Sequence, residues 1–313
     1  MRAPASVPGN AGVAEVRHNA IGLPLAPPLP ATTARRENPT VSAPRLIGIV
    51  NVTPDSFSDG GEFLASAKAI EHGRALARDG ADVIDVGGES TRPGARAVDA
   101  QEELARVGPV VEGLAGAGVP ISIDTSKTGV AGPAIEAGAT IVNDVTALRA
   151  DPDLAELCAE RDVDVVLMHM QGTPRTMQRN PTYVDVVDDI RAFLADRIEF
   201  ATSHGIDEKR IWVDPGIGFG KTVEHNLELV RRLGELRNLG RPLVVGTSRK
   251  SFIGKITGRE VESRLGGTIA SNVLAMANGA DLLRVHDVRE VREAIRVARL
   301  VLSTGDWRGQ SSN

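Results

Sequence analysis

Eight short apolar runs, separated by helical patterns, each stop at a polar residue able to bind or react, and this constrains the fold more than anything else in the chain. The runs are Leu46–Val50, Val83–Val86, Ile121–Ile123, Thr140–Val142, Val163–Met168, Ile211–Val213, Leu243–Val245 and Leu282–Val285. They end at Asn51, at Gly87 with Glu89 and Thr91, at Asp124, at Asn143 with Asp144, at His169, at Asp214, at Ser248 to Lys250, and at His286. Strands that are almost continuously apolar suit a parallel sheet covered on both faces. Eight βα units in series predict an α/β fold, a closed (β/α)8 or TIM barrel, whose active site is built at the C-terminal ends of the strands. A doubly wound open sheet is the fold-level alternative. It would gather its ligand contacts at one switch point, whereas polar residues here follow nearly every strand.

The length of 313 residues accommodates one such barrel with segments to spare. Eight of the 18 prolines fall within residues 1–44, among many alanines and few large apolar side chains. A segment of that kind buries too little surface to offset its ordering entropy. Residues 1–44 are therefore expected to be a disordered Pro/Ala-rich extension, 45–302 the barrel, and 303–313 a loose polar tail. A net charge of −5 lacks the basic footprint of a nucleic-acid binder. No apolar stretch approaches the length of a membrane span. Cys158 is the single cysteine, which excludes an intramolecular disulfide and leaves a packing role. A cytoplasmic, soluble protein is the expectation.

The punctuation fits the same organisation. Gly80, Gly118, Gly138, Gly205, Gly240 and Gly279 each close a helical pattern before a strand, where a left-handed C-cap suits glycine. Asp151-Pro152 reads as an N-cap followed by proline in the first turn. Asp99 with Glu102 and Asp287 with Glu290 have the spacing of capping boxes. Ser126 is expected to cap the third helix, leaving the Asp124 carboxylate free.

The loops after the strands carry the chemistry. Residues 51–61, with the sequence NVTPDSFSDGG, form a long loop of turn-forming and hydrogen-bonding residues, suited to act as a lid. Residues 87–94, GGESTRPG, combine paired glycines with hydroxyls and an arginine, which suits close approach to an anionic group. Asp124, Asn143 and Asp214 end strands 3, 4 and 6 and could together read the edge of a nitrogen heterocycle. Phe219 lies in the loop after Asp214 in a chain with 3% aromatic residues, so an exposed stacking role is expected for it. Gly246 to Ser251 bring two cations and three hydroxyls to the rim. Arg284 and His286 share one side of strand 8 by period-2 alternation, at the place where barrels commonly bind phosphate. His169 fits a structural hydrogen bond and a ligand contact equally well. Without a three-histidine cluster, a carboxylate dyad or a nucleophile elbow, zinc, glycosidase and serine-nucleophile chemistry fit poorly.

Taken together, the stretches Asn51 to Gly61, Asp85 to Gly94, Ser122 to Lys127, Asn143-Asp144, Met168 to Gln178, Asp214 to Lys221, Gly246 to Gly254 and Arg284 to Val288 resemble the dihydropteroate synthases. They occur in family order across about residues 45–300. Only the N-terminal extension departs from the family pattern.

The resemblance implies condensation of 6-hydroxymethyl-7,8-dihydropterin diphosphate with p-aminobenzoate, giving 7,8-dihydropteroate and diphosphate with magnesium as cofactor. It also implies a homodimer and a sulfonamide target in folate biosynthesis. By the same resemblance, Asp124, Asn143, Asp214 and Lys250 would hold the pterin. Asn51 would contact the metal and, with Arg284 and His286, the diphosphate. Thr91, Arg92, Pro93, Phe219 and Ser251 would surround the p-aminobenzoate, and Asp124, Lys250, Arg284 and His286 would form the catalytic set.

Two other readings use the same pterin-binding residues. A methyltetrahydrofolate-dependent methyl-transfer barrel would lack the cations after strands 7 and 8. A non-catalytic pterin-binding paralogue would show degraded strand ends.

Overall fold

In the computed structural model, which describes Met1 and residues 43–53, 61–92 and 94–303, eight parallel strands close on themselves. They are β1 (Arg45–Asn51), β2 (Val83–Gly87), β3 (Ile121–Asp124), β4 (Ile141–Asp144), β5 (Asp164–Met168), β6 (Ile211–Asp214), β7 (Val244–Val245) and β8 (Leu282–Val285). Their order in the sheet is β6-β5-β4-β3-β2-β1-β8-β7. The seam between β6 and β7 is joined by a parallel bridge from Val213 to Leu243 and by the Val213 amide donating to the Pro242 carbonyl at 2.9 Å. Outside the strands lie α1 (Gly61–Arg78), α2 (Ala100–Leu114), α3 (Thr128–Glu136), α4 (Asp153–Glu160), α5 (Val186–Ser203), α6 (Val223–Arg231), α7 (Ser251–Thr257), α8 (Leu265–Ala277) and α9 (Val288–Leu302). The expected (β/α)8 barrel is what forms, with α7 as an extra helix between β7 and α8. Residues 2–42, 54–60, 93 and 304–313 lie outside the description, and with them most of the expected extension and tail, the first long loop and Pro93.

Strand parity divides the core in two. Outward residues such as Leu46, Val50, Ile84, Val86, Ile123, Val142, Leu167, Val213 and Leu283 pack under the helices. Inward residues Ile47, Val83, Ile141, Val166, Trp212, Val244 and Leu282 form a separate apolar plug across the barrel floor. The next inward positions are Asp85, Ser122, Asn143, Asp214 and Arg284, so the lumen turns polar one layer above the plug. Barrel interiors are filled layer by layer with side chains from alternate strand positions. Here the floor is apolar, and Asp85, Asn143, Asp214 and Arg284 lie on its mouth side.

All six glycines expected to terminate helices have positive φ, between 67° and 115°. Asp99 caps α2 by accepting from the Glu102 amide at 2.8 Å. The other caps differ from expectation. Asp151 accepts from the Thr128 amide of α3 at 2.8 Å, so it caps a neighbouring helix, and Ser126 caps nothing. Asp287 makes no side-chain cap on α9, because its carboxylate is taken by Arg249. Cys158 is buried in α4, where burial pushes its thiol up to about 12, in keeping with a packing role.

Candidate active site

The centre of the barrel mouth is one arginine held between two acids. Arg284 on β8 donates from Nε to Asp85 Oδ2 at 2.6 Å and from Nη2 to Asp124 Oδ2 at 2.7 Å. Asn143 Nδ2 donates to the same Asp85 oxygen at 3.3 Å. A guanidinium carries five N–H groups, so these two bonds leave donors for an incoming anion. The register places Asn51 beside Gly87, Gly87 beside Asp124, and Asp124 beside Asn143, which brings the ends of β1 to β4 level around the mouth.

One cation against two acids leaves the cluster short of positive charge. Burial raises the Asp124 carboxyl to about 7, with Asp85 reinforcing the shift and Arg284 opposing it. Burial also raises Asp214, against the pull of its hydrogen bond from the Gly216 amide at 2.7 Å and of Lys250, Arg284 and Lys221. Lys250 is lowered to about 8, first by burial and then by the like charge of Arg284, while Asp214 and Asp124 hold it up. Asp124, Asp214, Lys250 and Arg284 therefore act on one another across a low-dielectric lumen.

Phe219 is buried, contrary to the expected exposed ring. It packs with Met168, Met170 and Met177, and the Lys250 ammonium lies 4.0 Å from its ring centroid. A cation over an aromatic face is attracted by the ring quadrupole, so Phe219 orients Lys250. Its loop is also fixed rather than flexible. Tyr183 donates to the Gly220 carbonyl at 2.6 Å, Gln178 to the Gly218 carbonyl at 2.8 Å, and the Gly218 amide to Asn226 at 2.7 Å. Gly216, at φ 66°, must be glycine, since a Cβ there would lie 1.9 Å from the His169 carbonyl oxygen.

His169 is structural. Its Nδ1 lies 2.9 Å from Nζ of the buried Lys221, whose own amine burial pushes well below its ordinary value. The His169 ring meets Phe193 edge-on, and burial above all drives the imidazole down to about 2. Asp144 is structural too, spending its carboxylate on the Thr146 and Leu148 amides. Arg249, expected at the rim as a second cation, turns away to pair with Asp287 at the start of α9. Just beyond β8, His286 is lowered to about 3 by burial and by Arg284, so it is neutral. The Ser248 hydroxyl accepts from the His286 amide at 3.2 Å and sits 2.9 Å from Nδ1. A hydroxyl that donates to Nδ1 corresponds to the tautomer with the ring proton on Nε2.

Thr91 and Arg92 stand at the rim. Arg92 lines a cleft of about 530 Å³ with Thr53, Ser90, Arg96 and Arg106. Asn51 is half-buried at the end of β1, and Ser251 is exposed at the start of α7. No bond joins these rim side chains to the central acids among the described residues. Asp85 and Lys221 belong to this site and were not singled out from sequence. An acid at inward parity within the apolar run of β2 was the available signal for Asp85.

Residues 47–286 match the family of pterin binding enzymes. The dihydropteroate synthase of Escherichia coli strain K12 is 46% identical over 264 residues, covering 84% of this chain and 93% of that protein. Among solved structures, Xanthomonas albilineans dihydropteroate synthase with 4-aminobenzoic acid superposes with a TM-score of 0.79 at 48% identity, covering 85% of this chain and 95% of the other. The Yersinia pestis dihydropteroate synthase with a sulfonamide drug complex also superposes at 0.79, with 44% identity over 86% of this chain and 98% of that one.

Proposed function

We propose roles for these residues from the premise that the chain belongs to the dihydropteroate synthases, pterin-binding transferases that join a dihydropterin diphosphate to p-aminobenzoate. Asp124, Asn143 and Asp214 present acceptors, with the amide donor of Asn143, to the ring edge of the pterin, and Lys250 donates to it from the opposite side. Arg284 keeps its bonds to Asp85 and Asp124 and offers its remaining N–H groups to the diphosphate. His286, neutral, adds a further donor in the tautomer whose proton is on Nε2. Arg92 and Thr91 with Pro93 receive the p-aminobenzoate, flanked by Phe219 and Ser251.

The chemistry needs no strong base. Loss of diphosphate from the pterin methylene leaves a resonance-stabilised cation, which the buried carboxylates of Asp124 and Asp214 stabilise electrostatically. Arg284 and His286 stabilise the departing anion. The arylamine is neutral at physiological pH, attacks the methylene through its lone pair, and the resulting ammonium then gives its proton to solvent. Holding the two reactants together supplies much of the remaining rate.

Magnesium is part of this reading. The described residues hold no cluster of three His, Cys, Asp or Glu side chains able to bind a metal. Magnesium commonly takes one or two protein oxygens and completes its shell with substrate phosphates and water. The Asn51 side-chain oxygen at the barrel mouth fits that pattern, and the ion when bound would neutralise diphosphate charge.

Small molecules, rather than nucleic acid, are the substrates we assign, and we place the enzyme in the cytoplasm. No helix among the described residues is long and apolar enough to cross a membrane. We assign a homodimer through α6, α7 and α8, which pack together and leave Leu227, Ile256, Leu265 and Leu274 exposed.

The observation that carries the whole reading is the opposition of Asp124, Asn143 and Asp214 to Lys250, Arg284 and His286 above one apolar floor. The test is diphosphate release by the purified protein with the dihydropterin diphosphate, p-aminobenzoate and magnesium, omitting each in turn. Dihydropteroate should form only when all three are present. Release that ignores p-aminobenzoate, without dihydropteroate, would contradict the assignment.

A further inference from the structure

The segment that leaves β2 and carries Thr91 and Arg92 is clamped at its base. Gly88 lies so close to α2 that a Cβ there would fall 2.8 Å from Val107 Cγ1 and 3.1 Å from Glu103 Cγ. Its carbonyl accepts from Arg106 Nη1 at 2.8 Å. Glu89 Oε1 accepts from the Val98 amide at 3.4 Å, tying the two ends of the loop together. The other oxygen, Glu89 Oε2, is bonded by Lys127 Nζ, and the same ammonium bonds Glu103 Oε2.

Lys127 lies three residues beyond Asp124 on the exit of β3. A single charge thus connects the pterin-binding end of β3, the base of the β2 loop and the inner face of α2. Among the described residues no other cation bonds Glu89 or Glu103. Glu103 is fully buried, and its Oε1 has no hydrogen-bond partner. Burial disfavours the Lys127 charge, but the bonds to Glu103 and Glu89 outweigh it and raise the amine above its ordinary value. Without Lys127, the buried Glu103 carboxylate would be left without its cation, which costs stability. Glu89 Oε2 would lose the bond that anchors it to β3, and the loop it ties would be displaced whether or not Glu103 is charged.

We propose that Lys127 is a positioning residue, holding the loop that bears Thr91 and Arg92 through Glu89 and so setting the affinity for the arylamine. The inference rests on the synthase reading above. A purely structural role for Lys127 would reside in its pair with Glu103, whereas the positioning role resides in its bond to Glu89. Glu89→Gln separates the two, because it leaves the Lys127–Glu103 pair intact.

The experiment measures both Michaelis constants and thermal stability for wild type, Glu89→Gln, Lys127→Met and Lys127→Met with Glu103→Gln. The KM for p-aminobenzoate should rise about tenfold in Lys127→Met and roughly threefold in Glu89→Gln, while that for the dihydropterin diphosphate stays within about twofold. The double variant should recover stability, because the buried acid is neutralised, without recovering the arylamine KM. An unchanged arylamine KM in folded Glu89→Gln, or a parallel rise of both constants, overturns the positioning role with the synthase reading intact. A wild-type protein that makes no dihydropteroate overturns both.

Discussion

Replacing Arg284 by Met should reveal how much charge the barrel mouth stores. Arg284 is held by Asp85, whose side chain is 1% exposed, and by Asp124, at 13%. Breaking a buried ion pair by removing one partner costs about 3–5 kcal/mol. The 20% exposure of Arg284 itself lets solvent reach the defect, which favours the lower end, about 3 kcal/mol.

The loss must depend on pH in a stated direction. Asp124 is raised to about 7 even with Arg284 present, and removing the cation raises it further. A carboxyl raised in the folded state takes up a proton that the unfolded chain does not bind, so it favours folding at low pH. That contribution disappears as the pH rises through the folded value. The penalty for Arg284→Met should therefore be small near about pH 6 and full near about pH 8.5. At the higher pH the melting temperature should fall by roughly 6–12 °C. Urea denaturation of both proteins at the two pH values measures this directly. A loss independent of pH, or one that grows toward low pH, would refute the argument that two buried acids share this arginine.

Three further outcomes are expected. Asp124→Ala and Lys250→Ala should each lower turnover by about 10²–10³-fold while circular dichroism and cooperative unfolding persist; near-normal kcat in either would remove that residue from the catalytic set. The pH profile of kcat/KM should be a narrow bell, rising through about 7 as Asp124 ionises and falling through about 8 as Lys250 loses its proton. In Lys250→Arg the alkaline limb should disappear, and a limb that stays in place would assign it to another group. A sulfonamide should raise the apparent KM for p-aminobenzoate without changing maximal rate; inhibition insensitive to p-aminobenzoate would place the drug elsewhere.

Much of this site could be read from strand parity alone. Asp124, Asn143, Asp214 and Arg284 are polar residues at inward positions of otherwise apolar runs, and the barrel brings them to one level. Asp85 carries the same signature, yet only the bonds from Arg284 and Asn143 reveal its part in the site. Phe219 departs from the expected exposure because the methionines that bury it come from the end of β5 and the segment after it, which its own loop does not disclose. Asp151 and Asp287 depart from their expected caps for a related reason. Local spacing offered each a cap, while Thr128 and Arg249, distant in sequence, offered better partners. The partner of His169 is Lys221, 52 residues away in the chain, and the Lys127, Glu89 and Glu103 cluster joins three separate elements. Periodicity reports which way a side chain points; it does not report what meets it there.

The most direct test of the division of labour is binding of the dihydropterin alcohol and of its diphosphate to wild type, Asp124→Asn and His286→Gln, followed by calorimetry. His286 touches Ser248 and not the central acids, so its replacement leaves the pterin-reading groups in place. Asp124→Asn should weaken both ligands by a similar factor, and His286→Gln should weaken the diphosphate alone. Equal losses for both ligands in His286→Gln, or a loss confined to the diphosphate in Asp124→Asn, would contradict the separation of pterin and diphosphate sites.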